Sequence, residues 1–404
     1  MATLLPAHLV PVNCAQLQFG MYVAELDRPW LQTSFHSHGF ILRQDEQIEE
    51  LRRICEYVYV DPVLSEQDDS EMFNTGLTSR VKILVPGDEL TPLSRQRSEL
   101  RDLGHAFAES VRAARKSQAL ALGPLRRALA PVVTSLLSDA DTIPWLLATE
   151  LKVAFLYRRA LGTAVLMALA GKRIGFKHSL LDELALAGLL MDIGKLSVPI
   201  AILAKLQPLT KHERGFVVRH VQRGLYMVRS ASMISTTVED AVIGHHERLD
   251  GSGYPRGLRG TELPLAARLA GIVDTYDAML QNRRYAEAMA PHDVMRLLNG
   301  MRDRKFDAAI VRSFMRALGL YPTGSWVQIA DGRLGIVRQQ AEDDPARPYI
   351  ALVSDSAGRQ LPGGATLWQP DRRGDIVRAF QSGAVRIPRH QLDQSIGAAA
   401  NLAA

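Results

Sequence analysis

Apolar and polar positions alternate with a period of two in "HLVPV", "GMYVAEL", "GFILR" and "YVYVDP", between residues 8 and 62, with Gly, Pro and Asp between the runs. This alternation predicts a small strand-rich domain, with one helix at "DEQIEELRRIC". Residues from about 63 to 90, including "SEQDDSEMFNTG", are polar and irregular and read as a linker. From Leu93 to about Leu318 the spacing becomes helical and rich in Ala, Leu and Arg, broken by turn signals in "GKRIG", "LQPLT" and "LDGSGYPRGLRG". Beyond it, "GSWVQIADGRLGIVRQ" sets Asp331-Gly332 between two alternating runs, a two-residue hairpin signal, and "RPYIALVSDSAGRQL" continues in the same style. The expected fold class is α+β multidomain, an all-helical core between small strand-rich N- and C-terminal regions. The expected limits are 1–65 for the first strand-rich domain, 66–148 for a linker and helical connector, and 149–320 for the helical domain. A strand-rich appendix at 321–371 and a partly disordered tail at 372–404 complete the division.

Composition narrows this picture only slightly. The 404 residues are 47% hydrophobic and 23% charged, ordinary values for globular domains. The N-terminus has no basic region ahead of its short apolar patch, and the best candidate span, Val153 to Ala170, is interrupted by Arg158 and Arg159. A cytoplasmic protein without a membrane span is expected. Cys14 and Cys55 form no spaced metal motif and are read as reduced thiols without a role. A net charge of +5 over this length suits an anionic ligand without arguing for DNA. The densest basic stretch, Ser94 to Lys116, alternates Arg with acidic residues at helical spacing and reads as a solvated helix face.

Chemistry concentrates in the helical body. "LDELALAGLLMDIGK" is apolar on nearly every side from Leu184 to Met191, so the helix is expected to be buried, with Gly194 as its stop. Asp192 then lies at a buried end and needs a partner. Taken alone, an ion pair and a metal ligand explain it equally. In "LTKHERGFVVRHVQRGLYMVR", Thr210 and Glu213 form a capping box, and His220 shares a face with Val217, Val221, Gly224 and Val228, whereas His212 is expected to be exposed. A lone inward histidine is usually a hydrogen-bonded core residue. "AVIGHHERLDGSGYP" sets His245 beside His246; adjacent histidines on a helix diverge by about 100 degrees, so both reach one site only near a helix end or beside a second metal. Asp274 is a second buried carboxylate, on the side of Ala266, Ala270 and Asp277. Asp192, His220, His245, His246 and Asp274 together suit Mn, Fe, Ni or Zn.

"HHERLDGSGYP" followed by "VDTYDA" resembles the signature of the HD-GYP proteins, a branch of the HD metal-dependent phosphohydrolases whose active members hydrolyse cyclic di-GMP. The resemblance covers roughly residues 149 to 320, giving the helical core an HD-type fold, and "FGMYVAELDRPWLQTSFHSHGFILR" resembles the DUF3391 domain that often precedes it. The resemblance implies that Asp192 bridges two metals, that His220, His245 and His246 complete one of them, and that Asp274 binds the other. It further implies that Lys195 contacts a substrate phosphate, catalytically if the protein is active, and that Arg283 helps hold the dinucleotide. Gly253, Tyr254 and Pro255 would contact partner proteins such as GGDEF-domain cyclases.

The rest of the pattern is degenerate. Met191 and Arg159 stand where the family has histidines, Phe155 where some members have a glutamate ligand, and Ala286 where a basic residue often contacts the ligand. All the losses among the paired metals fall on one ion, leaving one divalent transition metal (Fe, Mn, Ni or Zn) expected and a second doubtful. Two-metal hydrolysis needs both ions. Two placements of Arg159 are equally open: in the vacated cation position beside Asp192 and Asp274, or facing solvent beside Arg158. The leading expectation is a protein that binds cyclic di-GMP or a partner, with weak or no hydrolysis. The alternatives are an active phosphodiesterase with an altered metal site and a non-catalytic interaction scaffold. Oligomeric state is not legible.

Overall fold

The computed structural model describes residues 10–14, 17–26, 33, 35, 39–55, 57–61, 65, 92–115, 120–149, 155–198, 200–203, 208–231, 234–281, 288–341, 344–359, 361 and 366–380. The chain divides into two compact units, Met1–Glu89 with Lys152–Arg159, and Leu90–Leu151 with Ala160–Ala404. Small antiparallel sheets lie in the N- and C-terminal regions, and helices form the body between them.

In the first unit, β1 (Val10–Asn13), β2 (Tyr22–Leu26), β3 (Phe40–Ile41) and β4 (Tyr57–Asp61) form an antiparallel sheet ordered β1-β4-β2-β3. Helix α1 (Asp45–Ile54) occupies the expected "DEQIEELRRIC" stretch. Its Ile48 and Leu51 join Val23, Leu42 and Val58 in one closed core. Period-two and helical apolar positions thus meet on a common inner surface. Cys14 and Cys55 are buried free thiols.

The second unit begins with α2 (Pro92–Arg115) and α3 (Leu122–Ser138). The basic stretch on α2 buries Leu100, Leu103 and Phe107 and exposes Arg101, Asp102 and Glu109, the arrangement that its alternating charges require. Short α4 (Thr142–Thr149) carries Trp145, fully buried against Ile336 and Ala351 of the C-terminal sheet. Asp141, just ahead of α4, accepts from Thr323 Oγ1 at 2.6 Å and from the Gln340 amide at 3.3 Å. That sheet comprises β5 (Trp326–Ile329), β6 (Leu334–Gln339), β7 (Tyr349–Leu352), β8 (Thr366–Trp368) and β9 (Ile376–Phe380), ordered β8-β7-β6-β5-β9. The Asp331-Gly332 turn joins β5 to β6, with Gly332 at φ +96°. Strand β9 pairs with β5 and lies past the limit at 371 read from the sequence. Residues 381–404 of the expected tail lie outside the described residues.

The helical core follows as α5 (Phe155–Ile174), α6 (His178–Leu190), a 3-10 turn (Ile193–Ser197), α7 (Ile200–Leu203), α8 (Lys211–Val218), α9 (His220–Arg229), α10 (Thr236–Gly244), α11 (Leu265–Met279), α12 (Pro291–Gly300) and α13 (Ala308–Leu318). Helix α6 is buried throughout Leu184–Leu190, as its apolar run demands. It crosses α5 in near backbone contact: Thr163 Oγ1 donates to Gly188 O at 2.8 Å, and a Cβ on Gly188 would lie 2.5 Å from Thr163 O. Two local expectations are corrected. The segment after Thr210 is two helices, because the chain tightens at Arg219, whose N–H reaches both Gly215 O and Val217 O. Gly194 is not a left-handed helix stop; it lies inside the 3-10 turn, where a Cβ would sit 1.9 Å from His220 O.

Candidate metal centre

Each ligand candidate is delivered by an element whose end is fixed locally. Asp192 follows the last turn of α6, is 8% exposed, and leads into the 3-10 turn. His220 is the first residue of α9 and fully buried. Its approach is set by the reciprocal cap of α8, in which Thr210 N donates to Glu213 Oε2 at 2.8 Å and Glu213 N to Thr210 Oγ1 at 3.2 Å. His245 caps the C-terminus of α10 and His246 follows in the turn, so the helix end lets two adjacent histidines face one point. His212 is exposed and packs on Phe216, away from this group.

Asp192, His220, His245 and His246 each offer a ligand atom within 4.8 Å of the others. Asp192 Oδ1 lies 3.3 Å from His220 Nε2 and 3.6 Å from His245 Nε2. The two Nε2 atoms are 3.2 Å apart. His220 Nδ1 donates to Val217 O at 2.6 Å, and His245 Nδ1 to Val242 O at 2.9 Å. A carbonyl only accepts, so the Nδ1 atoms carry the protons and the Nε2 lone pairs face each other. That is repulsive unless a cation lies between them, and an ion with bonds of about 2.1 Å fits the spacing. The donor set therefore fits a divalent transition metal, and the carbonyls act as outer partners fixing the tautomers. Burial, more than any neighbouring charge, lowers the pKa of His220 and holds that of His246 well below the ordinary imidazole value. Both rings thus stay neutral and ligating.

Asp274, 5% exposed on α11, stands beside the four-atom group: its Oδ2 is 3.4 Å from His246 Nδ1. Lys195 Nζ lies 2.7 Å from Asp192 Oδ2. Met191 is 1% exposed, and Arg159, on α5, is 7% exposed. The Phe155 side chain, Arg283 and Ala286 lie outside the described residues.

The glycine-rich loop returns against the histidines. Tyr254 stacks on the His246 ring, with centroids 4.6 Å apart. Burial raises its pKa, with Asp274 and Asp192 adding to the effect, so the phenol keeps its proton. Gly253 is obligatory there, since a Cβ would lie 2.4 Å from both Glu247 Cα and His246 O. Pro255 follows Tyr254 through a cis peptide.

Sequence reasoning missed Glu247 and Arg248. Glu247 is 2% exposed, and its carboxylate accepts from Arg256 N at 2.7 Å and Leu258 N at 3.1 Å, closing the loop. Arg248 donates to His245 O at 3.0 Å and Thr275 Oγ1 at 3.2 Å, tying the end of α10 to α11. The available signal was an acid directly after two inward histidines, a position that demands donors.

A family model described as an HD domain matches residues 145–310, and one described as a domain of unknown function, DUF3391, matches 9–129. A Pseudomonas aeruginosa protein named cyclic di-GMP phosphodiesterase PA4108 is 30% identical over 385 residues, covering 92% of this chain and 90% of its own length. The cyclic di-GMP phosphodiesterase response regulator RpfG of Xanthomonas campestris is 35% identical over 150 residues, 37% of this chain and 39% of that one. The solved structure of Bd1817, an HDG"Y"P protein from Bdellovibrio bacteriovorus, superposes with a TM-score of 0.46 and 14% identity, over 76% of this chain and 98% of that one. Among the described residues, no helix is long and apolar enough to cross a membrane.

Proposed function

Because this chain belongs to the HD-GYP family of HD-domain proteins, with a DUF3391 domain ahead of it, we propose that it serves cyclic di-GMP signalling as a one-metal dinucleotide-binding protein with weak or no hydrolysis. The observation that carries this reading is the asymmetry of the site. Asp192, His220, His245 and His246 converge within 4.8 Å, while the family resemblance puts Met191 and Arg159 where a second ion would use histidines. When bound, a divalent ion supplies Lewis acidity toward a phosphoryl oxygen and acidifies a bound water. The chain's own groups do the rest. His220 and His245 keep their Nε2 atoms unprotonated because backbone carbonyls hold the Nδ1 protons. Lys195 offers one cation to a phosphate, partly neutralised by Asp192. Tyr254 shields one face of His246 from water.

The proposal extends to the cytoplasm as its compartment, to Arg283 as a dinucleotide contact, and to GGDEF-domain proteins as partners of the Gly253-Tyr254-Pro255 loop. It also carries the domain limits read from the sequence, with the C-terminal sheet continued to Phe380. The test uses one purified sample: metal content per chain, calorimetric titration with cyclic di-GMP, and product formation with added Mn or Fe. One metal per chain, binding and negligible turnover are expected. Turnover comparable to ordinary enzymes would instead establish an active phosphodiesterase, and absence of both metal and binding would leave a scaffold.

A further inference from the structure

Two adjacent rings at a helix end are aimed by whatever fixes the chain beyond it. His245 closes α10, and its carbonyl is among those that no N–H of the same helix can reach. Arg248 supplies the missing donor: its Nη1 lies 3.0 Å from His245 O and 2.8 Å from Glu247 O. Its Nη2 donates to Thr275 Oγ1, on α11, at 3.2 Å. That hydroxyl gives its own proton to Gly271 O at 2.7 Å, so toward the guanidinium it acts as an acceptor.

The guanidinium is itself held in place. It lies over the buried Phe306 ring, 5.0 Å from the centroid. Room for it comes from Gly271, where a Cβ would lie 3.2 Å from both Nη1 and His245 O. Thr275 directly follows Asp274, whose Oδ2 is 3.4 Å from His246 Nδ1. One fork therefore joins the turn that carries His245 and His246 to the helix that carries Asp274. The two helices are packed together earlier, at Gly244, where a Cβ would lie 2.6 Å from Ala267 Cβ. Losing the fork thus frees the histidine turn without parting α10 from α11.

We propose that Arg248 is a positioning residue of the metal centre: it fixes the His245–His246 turn relative to Asp274, and with it the affinity and coordination geometry of the bound ion. This rests on the metal-centre reading above. Arg248 acts through the His245 carbonyl and through Thr275. A planar guanidinium serves three acceptors from one plane and stacks on an aromatic face, whereas a lysine ammonium is a compact point charge that does not reproduce the fork. Groups that orient ligands in this way are worth about 10- to 100-fold in metal affinity.

The test compares the full-length parent with Arg248→Met, Arg248→Lys and Arg268→Met. Arg268, on α11, donates to Leu263 O at 2.8 Å and to Asp307 Oδ2 at 3.1 Å, neither of them a ligand candidate. For each protein the urea midpoint is measured without metal, Zn affinity by competition with a chromophoric chelator, and the visible spectrum after loading with Co(II). Arg248→Met is expected to bind Zn about 10- to 100-fold more weakly, with an altered Co(II) spectrum. Arg248→Lys recovers part of the affinity. Arg268→Met lowers the urea midpoint but keeps Zn affinity within about twofold and the parent's spectrum. An Arg248→Met affinity within about twofold of the parent, or an equal loss in Arg268→Met, overturns the positioning role alone. Should Arg248→Met not fold, Thr275→Val, which removes the α11 acceptor at nearly constant volume, is read in its place. A loss of about 3- to 10-fold then supports the role, and affinity within about twofold of the parent overturns it. A parent that takes up neither Zn nor Co overturns the metal-centre reading and the role with it.

Discussion

Substituting Gly194 with alanine puts one methyl group against a backbone that has no room for it. The new Cβ would lie 1.9 Å from His220 O and 2.5 Å from Gly224 N, both main-chain atoms of α9 or its first turn. Carbon and its neighbours pack best at about 3.5–4.0 Å, so the helix must retreat by roughly 1.5 Å or the 3-10 turn must move instead. Either shift separates Asp192 from His220, whose Oδ1–Nε2 distance is 3.3 Å, whereas ligating groups work within about 0.5 Å of their places. Overpacking of this kind costs about 1–3 kcal/mol, and backbone overlap puts this case at about 3 kcal/mol or beyond. Gly224→Ala is the internal control. Its Cβ would meet Val242 Cγ1 at 3.1 Å and the main-chain Gly194 N at 3.3 Å, far milder overlaps than 1.9 Å, and alanine regains up to about 1 kcal/mol of helix propensity. Urea denaturation followed by far-ultraviolet circular dichroism, with metal content measured after loading, compares the two. Gly194→Ala is expected to lower the midpoint and lose metal, and Gly224→Ala to lower the midpoint by clearly less and keep its metal. A Gly194→Ala protein with the parent's midpoint and metal content refutes the close-contact reasoning.

Three further outcomes follow from the same geometry. Glu247→Gln turns an amide NH2 toward one of the two backbone N–H groups that the carboxylate now serves; it should cost about 1–3 kcal/mol, and an unchanged urea midpoint would contradict the role given to Glu247. His220 and His246 have depressed pKa values, so the unfolded chain binds more protons than the native one below about pH 6.5. The stability of the metal-free protein should therefore be complete above that pH and fall as pH drops toward the lower native values, read as a declining melting temperature between pH 7.5 and 5; a flat profile would mean that these rings are not neutral when buried. Removing the metal with a chelator should lower the urea midpoint of the parent, by the linkage of binding to folding, and no change would show that the four ligand atoms hold no ion.

Much of this site was written in local sequence. The apolar run to Met191 required a buried Asp192, and the adjacent histidines required a helix end or a second metal; His245 lies at the end of α10. The inward face counted for His220 held even though the helix is broken one residue earlier, because the break preserves the direction of the following turn. What stayed hidden depends on atoms that sequence does not distinguish. The partners of Glu247 are main-chain amides that become available only when the loop folds back. The closeness of Gly194 to His220 O is a distance between segments, and glycine codes for a helix stop and for tight packing alike. Trp145 finds its cover in Ile336 and Ala351, about 200 positions downstream, beyond any periodicity.

That last contact bears on how the protein can be divided or transplanted. The HD-domain match runs from 145 to 310 and therefore includes the indole of Trp145 but not the strands that cover it. A gene fusion built on those limits would carry a large apolar ring to the new protein's surface and would leave the Asp141 carboxylate, with its Thr323 and Gln340 donors, behind. The inheritable module is thus longer than the HD-domain match at both ends. A graft intended to behave as the parent has to begin before Asp141 and run through Phe380.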